Sequence, residues 1–341
     1  MPEPILQQVP ADVDESRVGI SYSGGGPLLL IELGIAQAFV DLQIIPTAIA
    51  GVSAGAMAGT AHAFDPVNGT AIKAAADALI TLSDHKLGLT KAEIVAKVLG
   101  SLLTSQTLPP SLGDNAPIQP MVKGIFNGLV GLPGLTVSDF GSNGRVKLWI
   151  GATDRRQCER YWFPDSAEVA DALVASSAIP GVFPPRKITI DGSEQLFVDG
   201  AVAQNQPLSQ LVLEEKCGTL YACAVGYDGE AMGDPTDALD NATSAISILS
   251  HESSRLEQGY VELKFAQAGK GKVFHIHPPG PFSISGFNFT AEQIRQVMAE
   301  ACQQTKDYIQ QQGWMPPGVP AAAPVPVGAA GGGSPNGGGR S

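Results

Sequence analysis

Basic residues are the first shortage in this chain. It carries 21 Lys and Arg against 33 Asp and Glu, a formal net charge of -12. A nucleic-acid binder needs a basic face to displace counterions from phosphates, so that class is excluded. Charge of either sign is sparse, at 16% of 341 residues, while 44% are hydrophobic. A chain of this length and composition buries a large core. Cysteine is scarce as well: Cys158, Cys217, Cys223 and Cys302 form no C-x-x-C pair. That is not a disulfide framework, and buried free thiols are expected. No stretch approaches the roughly 18 apolar residues of a membrane-spanning helix. The opening MPEPILQQVPADVDESR lacks the basic and apolar regions of a secretory signal. The expected location is therefore cytoplasmic, with signal-independent export or peripheral membrane association as alternatives. No period of 20–50 residues recurs, which excludes a solenoid.

Glycine and proline, in contrast, are plentiful, at 40 and 26. Part of the surplus sits in residues 316–341, a Pro/Ala/Gly tail that reads as disordered because nothing in it offsets the entropy of ordering. Residues 1–16 read as a flexible leader, leaving 17–315 as one domain. Within it, strand-like and helix-like segments alternate. Residues 17–23 and 47–51 read as short buried strands, each followed by a helix. Strands are also expected at 146–153, 159–163, 219–226 and 272–277. Asp191-Gly192 marks a hairpin between 188–190 and 195–199. Long amphipathic helices are expected at 238–265 and 290–312. This alternation predicts an α/β fold around a central, largely parallel sheet.

Three motifs carry chemistry. Gly51-Val52-Ser53-Ala54-Gly55 is a G-x-S-x-G pattern between a strand and a small-residue helix. Its glycines permit a tight turn that holds the serine hydroxyl clear of the backbone, with the positive end of a helix beside it. Ser23-Gly24-Gly25-Gly26-Pro27 ends the first strand. Neither G-x-G-x-x-G nor G-K-[ST] is present, so it is not a nucleotide loop. Successive glycine amides pointing into one concavity suit an oxyanion instead. Asp199-Gly200 closes an apolar strand, and a buried carboxylate there can accept a proton. Taken alone, Asp199 fits the common turn Asp before Gly better than a catalytic role.

The ordered set resembles the patatin-like phospholipase family. The matching blocks are Gly24-Gly25-Gly26, the motif from Gly51 to Gly55, ASSAIPGVFPP at 175–185, and Asp199-Gly200 followed by Asn205-Gln206-Pro207. The resemblance implies a three-layer α/β/α sandwich that hydrolyses acyl esters of lipids without metal or cofactor. It implies Ser53 as nucleophile, Asp199 as its partner in a Ser–Asp dyad, and an oxyanion hole from the amides of Gly24, Gly25 and Gly26. Gly51, Gly55 and Gly200 support these turns, block 175–185 runs beside the site, and residues 205–207 shape the segment after Asp199. One departure is present: the family usually places Lys or Arg, then Gly, shortly after the glycines, where this chain has Leu28 and Leu29. Without that charge, Coulomb attraction for anionic head groups is lost, which widens the expected substrates to neutral and short-chain esters.

Two alternatives stay open. A Ser–His–Asp hydrolase is available through His251 or His275, and a non-catalytic lipid-binding scaffold would keep the fold without the reaction. His275 and His277 have no third ligand, so no metal site is expected. The expected partner is a lipid or ester substrate, with transient membrane-surface contact and no nucleic acid; the oligomeric state is left open. Segments 119–134 and 279–289 are the apolar candidates for a lid or membrane contact, with a packed core role as the alternative.

Overall fold

The computed structural model describes residue 10, residues 12–105, 109, 111–130, 134–229, 233–234, 238–280, 282, 284 and 286–315. The tail at 316–341 and most of the leader lie outside the described residues. Strands β1 (Asp14–Tyr22), β2 (Ala48–Val52), β3 (Lys147–Asp154), β4 (Glu159–Trp162), β5 (Arg186–Ile190), β6 (Ser193–Val198), β7 (Cys217–Cys223) and β8 (Lys272–Ile276) form one sheet. Its order is β5-β6-β3-β2-β1-β7-β8, with β4 beside β3. β3, β2, β1, β7 and β8 are mutually parallel, while β4 and β6 run antiparallel to β3, and β5 antiparallel to β6.

β1 begins at Asp14, earlier than the Arg17 expected from the sequence, because β7 extends far enough to pair with it. The Asp14 amide donates to the Lys216 carbonyl at 3.0 Å and Thr219 Oγ1 donates to the Glu15 carbonyl at 2.7 Å. β2, β7 and the second half of β1 are buried on both faces, which is why they read as nearly continuous apolar runs. Ile20, Tyr22, Ile49, Tyr221 and Cys223 point into one core, and Ala48, Ala50, Leu220 and Ala222 into the other. The alternation follows from the two-residue period of a strand.

Helices cover both faces. On one lie α1 (Leu29–Asp41), α2 (Ala54–Phe64), α3 (Thr70–Leu79), α5 (Ile118–Val130), α6 (Val169–Ser176) and α9 (Ala291–Gln312). α7 (Leu208–Leu213) and α8 (Ala238–Ala268) cover the other, and α4 (Lys91–Ser105) lies beside the site described below. The architecture is a three-layer α/β/α sandwich. α9 packs tightly on α1 because Gly34 lacks a side chain: a Cβ there would stand 2.7 Å from Ala301 Cβ.

Register decides where the chemistry falls. Tyr22 pairs with Gly51, so the carboxyl ends of β1 and β2 lie side by side, and the chain leaves them as the glycine loop and as Ser53. β6 pairs with β3 only at Thr153–Val198 and Asp154–Phe197. The next residue, Asp199, is thereby brought level with the end of β2, where Val52 pairs with Gly151. Asp199-Gly200 passes so close that a Cβ on Gly200 would lie 2.5 Å from the Gly151 carbonyl oxygen. Loops at the carboxyl ends of parallel strands are the usual place for a site in such sheets.

Candidate active site

Ser53 occupies the turn between β2 and α2 with φ 52° and ψ -126°, a conformation L-residues avoid. Holding it costs about 1–3 kcal/mol. Two side-chain bonds offset that. The Ser53 amide donates to Ser176 Oγ at 2.8 Å, and Ser176 Oγ donates to the Gly151 carbonyl at 2.6 Å. Gly51 and Gly55 are required by close approach: a Cβ on Gly51 would strike the Gly55 carbonyl, and one on Gly55 the carbonyls of Tyr22 and Ser23. The turn is thus clamped from both strands.

The Ser53 hydroxyl donates to Asp199 Oδ2 at 2.6 Å, although 146 residues separate them. Asp199 Oδ1 accepts from the Ala201 amide at 2.8 Å. The Asp199 backbone is fixed at both ends, its amide donating to the Ala178 carbonyl at 2.9 Å and its carbonyl accepting from Thr153 Oγ1 at 2.9 Å. Burial pushes the Asp199 carboxyl up to about 7, against the downward pull of the bonds from Ser53 and Ala201. A carboxylate tuned to that range suits proton transfer at neutral pH.

The glycine loop faces the pair. A Cβ on Gly24 would lie 3.3 Å from Ser53 Cβ, so the loop passes directly over the hydroxyl. The three amides differ in availability, which the sequence did not reveal. Gly24 donates its amide to Asn205 Oδ1 at 3.0 Å. Among the described residues, the amides of Gly25 and Gly26 make no hydrogen bond. Gly26 takes φ 53°, which glycine adopts without penalty. Of the three amides expected to face an oxyanion, those of Gly25 and Gly26 are thus unengaged, while that of Gly24 anchors the loop to Asn205. Asn205 in turn donates through Nδ2 to Ser254 Oγ of α8 at 2.9 Å. Next to it, Gln206 Nε2 donates to the carbonyls of Ser21, at 3.3 Å, and Cys223, at 3.0 Å, joining the ends of β1 and β7.

A cavity of about 1130 Å³ opens above Ser53, Asp199 and the glycine loop. Its wall is mostly apolar, with Leu28, Ile94, Val182, Phe183, Val225 and Phe287 among the lining residues. Leu28 lies in this wall and Leu29 is buried, so neither of the positions that depart from the family pattern brings a cation to the cavity. Arg255 does reach it, but its guanidinium is engaged by Glu252 at 3.1 Å.

The histidines divide. Buried His62 meets the Tyr22 hydroxyl at 2.9 Å, and burial lowers its pKa to about 3. His275 Nε2 lies 2.6 Å from Glu262 and does not line the cavity. His251 and His277 do line it, with His277 Nε2 3.8 Å from Asp228. The four cysteines are free, and Cys158 is exposed rather than buried, because it sits at φ 58° in the turn between β3 and β4. In α5, Val122 and Phe126 are buried, so segment 119–134 packs into the core through α5. Residues 131–133 lie outside the described residues. Of segment 279–289, Phe282, Ile284, Phe287 and Phe289 lean on the core and Phe287 reaches the cavity wall. Among the described residues no helix is long and apolar enough to cross a membrane.

A three-layer sandwich with a serine on a strand-to-helix turn, facing a glycine loop, defines a broad class of α/β proteins with elbow serines. Within that class the assignment is narrower. Residues 20–212 match the patatin-like phospholipase family, and the chain belongs to it. Solved structures similar to this chain include VipD from Legionella pneumophila, at 14% identity and a TM-score of 0.44, the match covering 87% of this chain and 67% of VipD. Another is the type III effector protein ExoU, at 14% identity and a TM-score of 0.43, covering 90% of this chain and 54% of ExoU. The chain thus spans about half the length of that second structure.

Proposed function

We propose that residues 17–315 form a lipid acyl hydrolase that works through a Ser53–Asp199 dyad and an acyl-enzyme. The single observation that carries this reading is the 2.6 Å bond from Ser53 Oγ to Asp199 Oδ2 at the floor of an apolar cavity. Asp199, as the carboxylate, takes the Ser53 proton while Oγ attacks the ester carbonyl carbon. The tetrahedral oxyanion is held by the amides of Gly25 and Gly26, each such donor contributing about 3–4 kcal/mol to the transition state. On collapse, the carbon–oxygen bond to the alcohol breaks and Asp199 returns the proton to the leaving oxygen. Water then attacks the acyl-enzyme with Asp199 again as base, releasing the fatty acid and restoring Ser53.

The direct bond also weighs against a triad, since the position an imidazole would take beside Oγ is filled by Asp199. An intact nucleophile, base and pair of unengaged amides weigh against a silent scaffold. The apolar wall, in which Arg255 is the one Lys or Arg among the described lining residues and is paired with Glu252, favours neutral or zwitterionic esters over anionic ones. The test is a panel of p-nitrophenyl esters of graded chain length beside phosphatidylcholine, with Ser53→Ala as control. Hydrolysis that disappears in Ser53→Ala supports the reading. Hydrolysis that persists there, or no hydrolysis of any ester by the native chain, overturns it.

A further inference from the structure

The cavity wall does not stop at the cavity. Val202 and Leu249 line it and are also 56% and 70% exposed, so the apolar lining runs out onto the surface. Two helices flank this mouth, each lending it an isoleucine: Ile94 from α4 and Ile246 from α8. On α4, Val95, Leu99 and Leu103 recur every four residues on one face, and all are exposed, Leu103 at 78%. On α8, Leu249, Leu256 and Leu263 recur every seven residues and share a stripe, with Leu256 at 74%.

Charge is arranged in keeping with this. No Asp, Glu, Lys or Arg occurs between Lys97 and Asp114, nor between Asp240 and Glu252, in a chain whose net charge is -12. Leu99, Leu103 and Leu249 thus stand in uncharged stretches of an otherwise acidic protein, while Val95 lies between Glu93 and Lys97, and Leu256 between Arg255 and Glu257. A strongly acidic body is repelled by an anionic bilayer and is indifferent to a neutral one. A protein seated on the rim would close the entrance, whereas a lipid surface supplies acyl chains through it.

We propose that this rim, formed by Val202, Leu249 and Leu256 with Val95, Leu99 and Leu103, docks the enzyme on an electrically neutral phospholipid surface. Its apolar side chains enter the interface and the mouth faces the acyl chains. The proposal rests on the lipid hydrolase reading for its biological sense, but its test does not depend on catalysis.

The binding experiment uses the full chain carrying Ser53→Ala, co-sedimented with phosphatidylcholine vesicles, so that no lipid is consumed. Leu99→Asp combined with Leu103→Asp, and separately Leu256→Asp, change exposed positions that do not line the cavity. Each set is expected to weaken vesicle partitioning about tenfold or more. With Ser53 restored, hydrolysis of water-soluble p-nitrophenyl butyrate should stay within about twofold of the native rate, as for ordinary surface changes. Replacing part of the phosphatidylcholine with phosphatidylglycerol should not strengthen binding. The proposal is overturned if the parent chain does not bind phosphatidylcholine vesicles or if the rim variants bind as well as it does. It is also overturned if binding needs the anionic lipid, or if a dimer dissociates on rim substitution. Butyrate hydrolysis retained in the rim variants separates these failures from failure of the dyad, which shows as hydrolysis persisting in Ser53→Ala.

Discussion

The floor and the mouth of the cavity are built on opposite principles. On the floor, polar groups are buried and paired: Ser53 with Asp199, the Ser53 amide with Ser176, Gly24 with Asn205. At the mouth, apolar side chains such as Val202 and Leu249 stand in solvent. A buried unpaired polar group costs about 1–3 kcal/mol, so a closed network holds one geometry. Exposed leucines specify no geometry of their own and are free to meet another surface. The contrast teaches where this fold places rigidity: at the Ser53–Asp199 pair, and not at the entrance.

Breaking the floor should therefore have the largest effects. Ser53→Ala or Asp199→Asn should each lower kcat about 10⁴-fold or more on a soluble ester, since members of such a unit fail together. Steady-state kinetics on p-nitrophenyl butyrate checks this, and a loss below tenfold for either would detach that residue from the reaction. Asn205→Ala removes the anchor of the glycine loop and returns a competing amide at Gly24. It should lower kcat about 10–100-fold with little change in KM, because the hole is displaced while the apolar wall is kept.

Next comes a change in stability with a definite sign. Burial holds the Asp199 carboxyl at about 7, above its unfolded value, so the native state holds an extra proton between the two. Stability from this group is present at acid pH and declines as pH rises toward about 7. Asp199→Asn removes the buried charge, and should melt higher than the native chain at pH 8, with the gap closing near pH 5. Calorimetry at the two pH values reads it, and a gap that grows toward pH 5 would mean that the carboxyl is not strained. The smallest effect should come from a histidine of the cavity wall: His251→Gln should leave kcat within about threefold if Asp199, bonded to Ser53, is the base as proposed. A collapse of activity there would restore the triad.

How much of this was legible in the sequence differs between the same two regions. Ser53, the glycine loop and the positions of most strands along the chain were readable because each rests on local rules: a G-x-S-x-G turn, glycines after a buried strand, a two-residue or helical period. Asp199 alone was ambiguous with a turn, and only the ordered set of blocks singled it out. Ser176, Asn205 and Thr153 were not readable in their roles. Their bonds to the site span 123, 181 and 46 residues, and no local pattern records such a partner. The division of labour among the glycine amides escaped for the same reason. The mouth escaped on other grounds. Apolar residues at helical spacing look alike whether they face a core, as Val122 and Phe126 of α5 do, or solvent, as Leu99 and Leu103 of α4 do.

The central claim is that Ser53 passes its proton straight to Asp199. The most direct test is the rate at which a fluorophosphonate modifies the chain as pH is varied, with the adduct located by peptide mapping. The account predicts modification at Ser53 with an acid limb centred near pH 7, loss of labelling in Asp199→Asn, and an unchanged profile in His251→Gln. Labelling that persists undiminished in Asp199→Asn, or that disappears in His251→Gln, would contradict it.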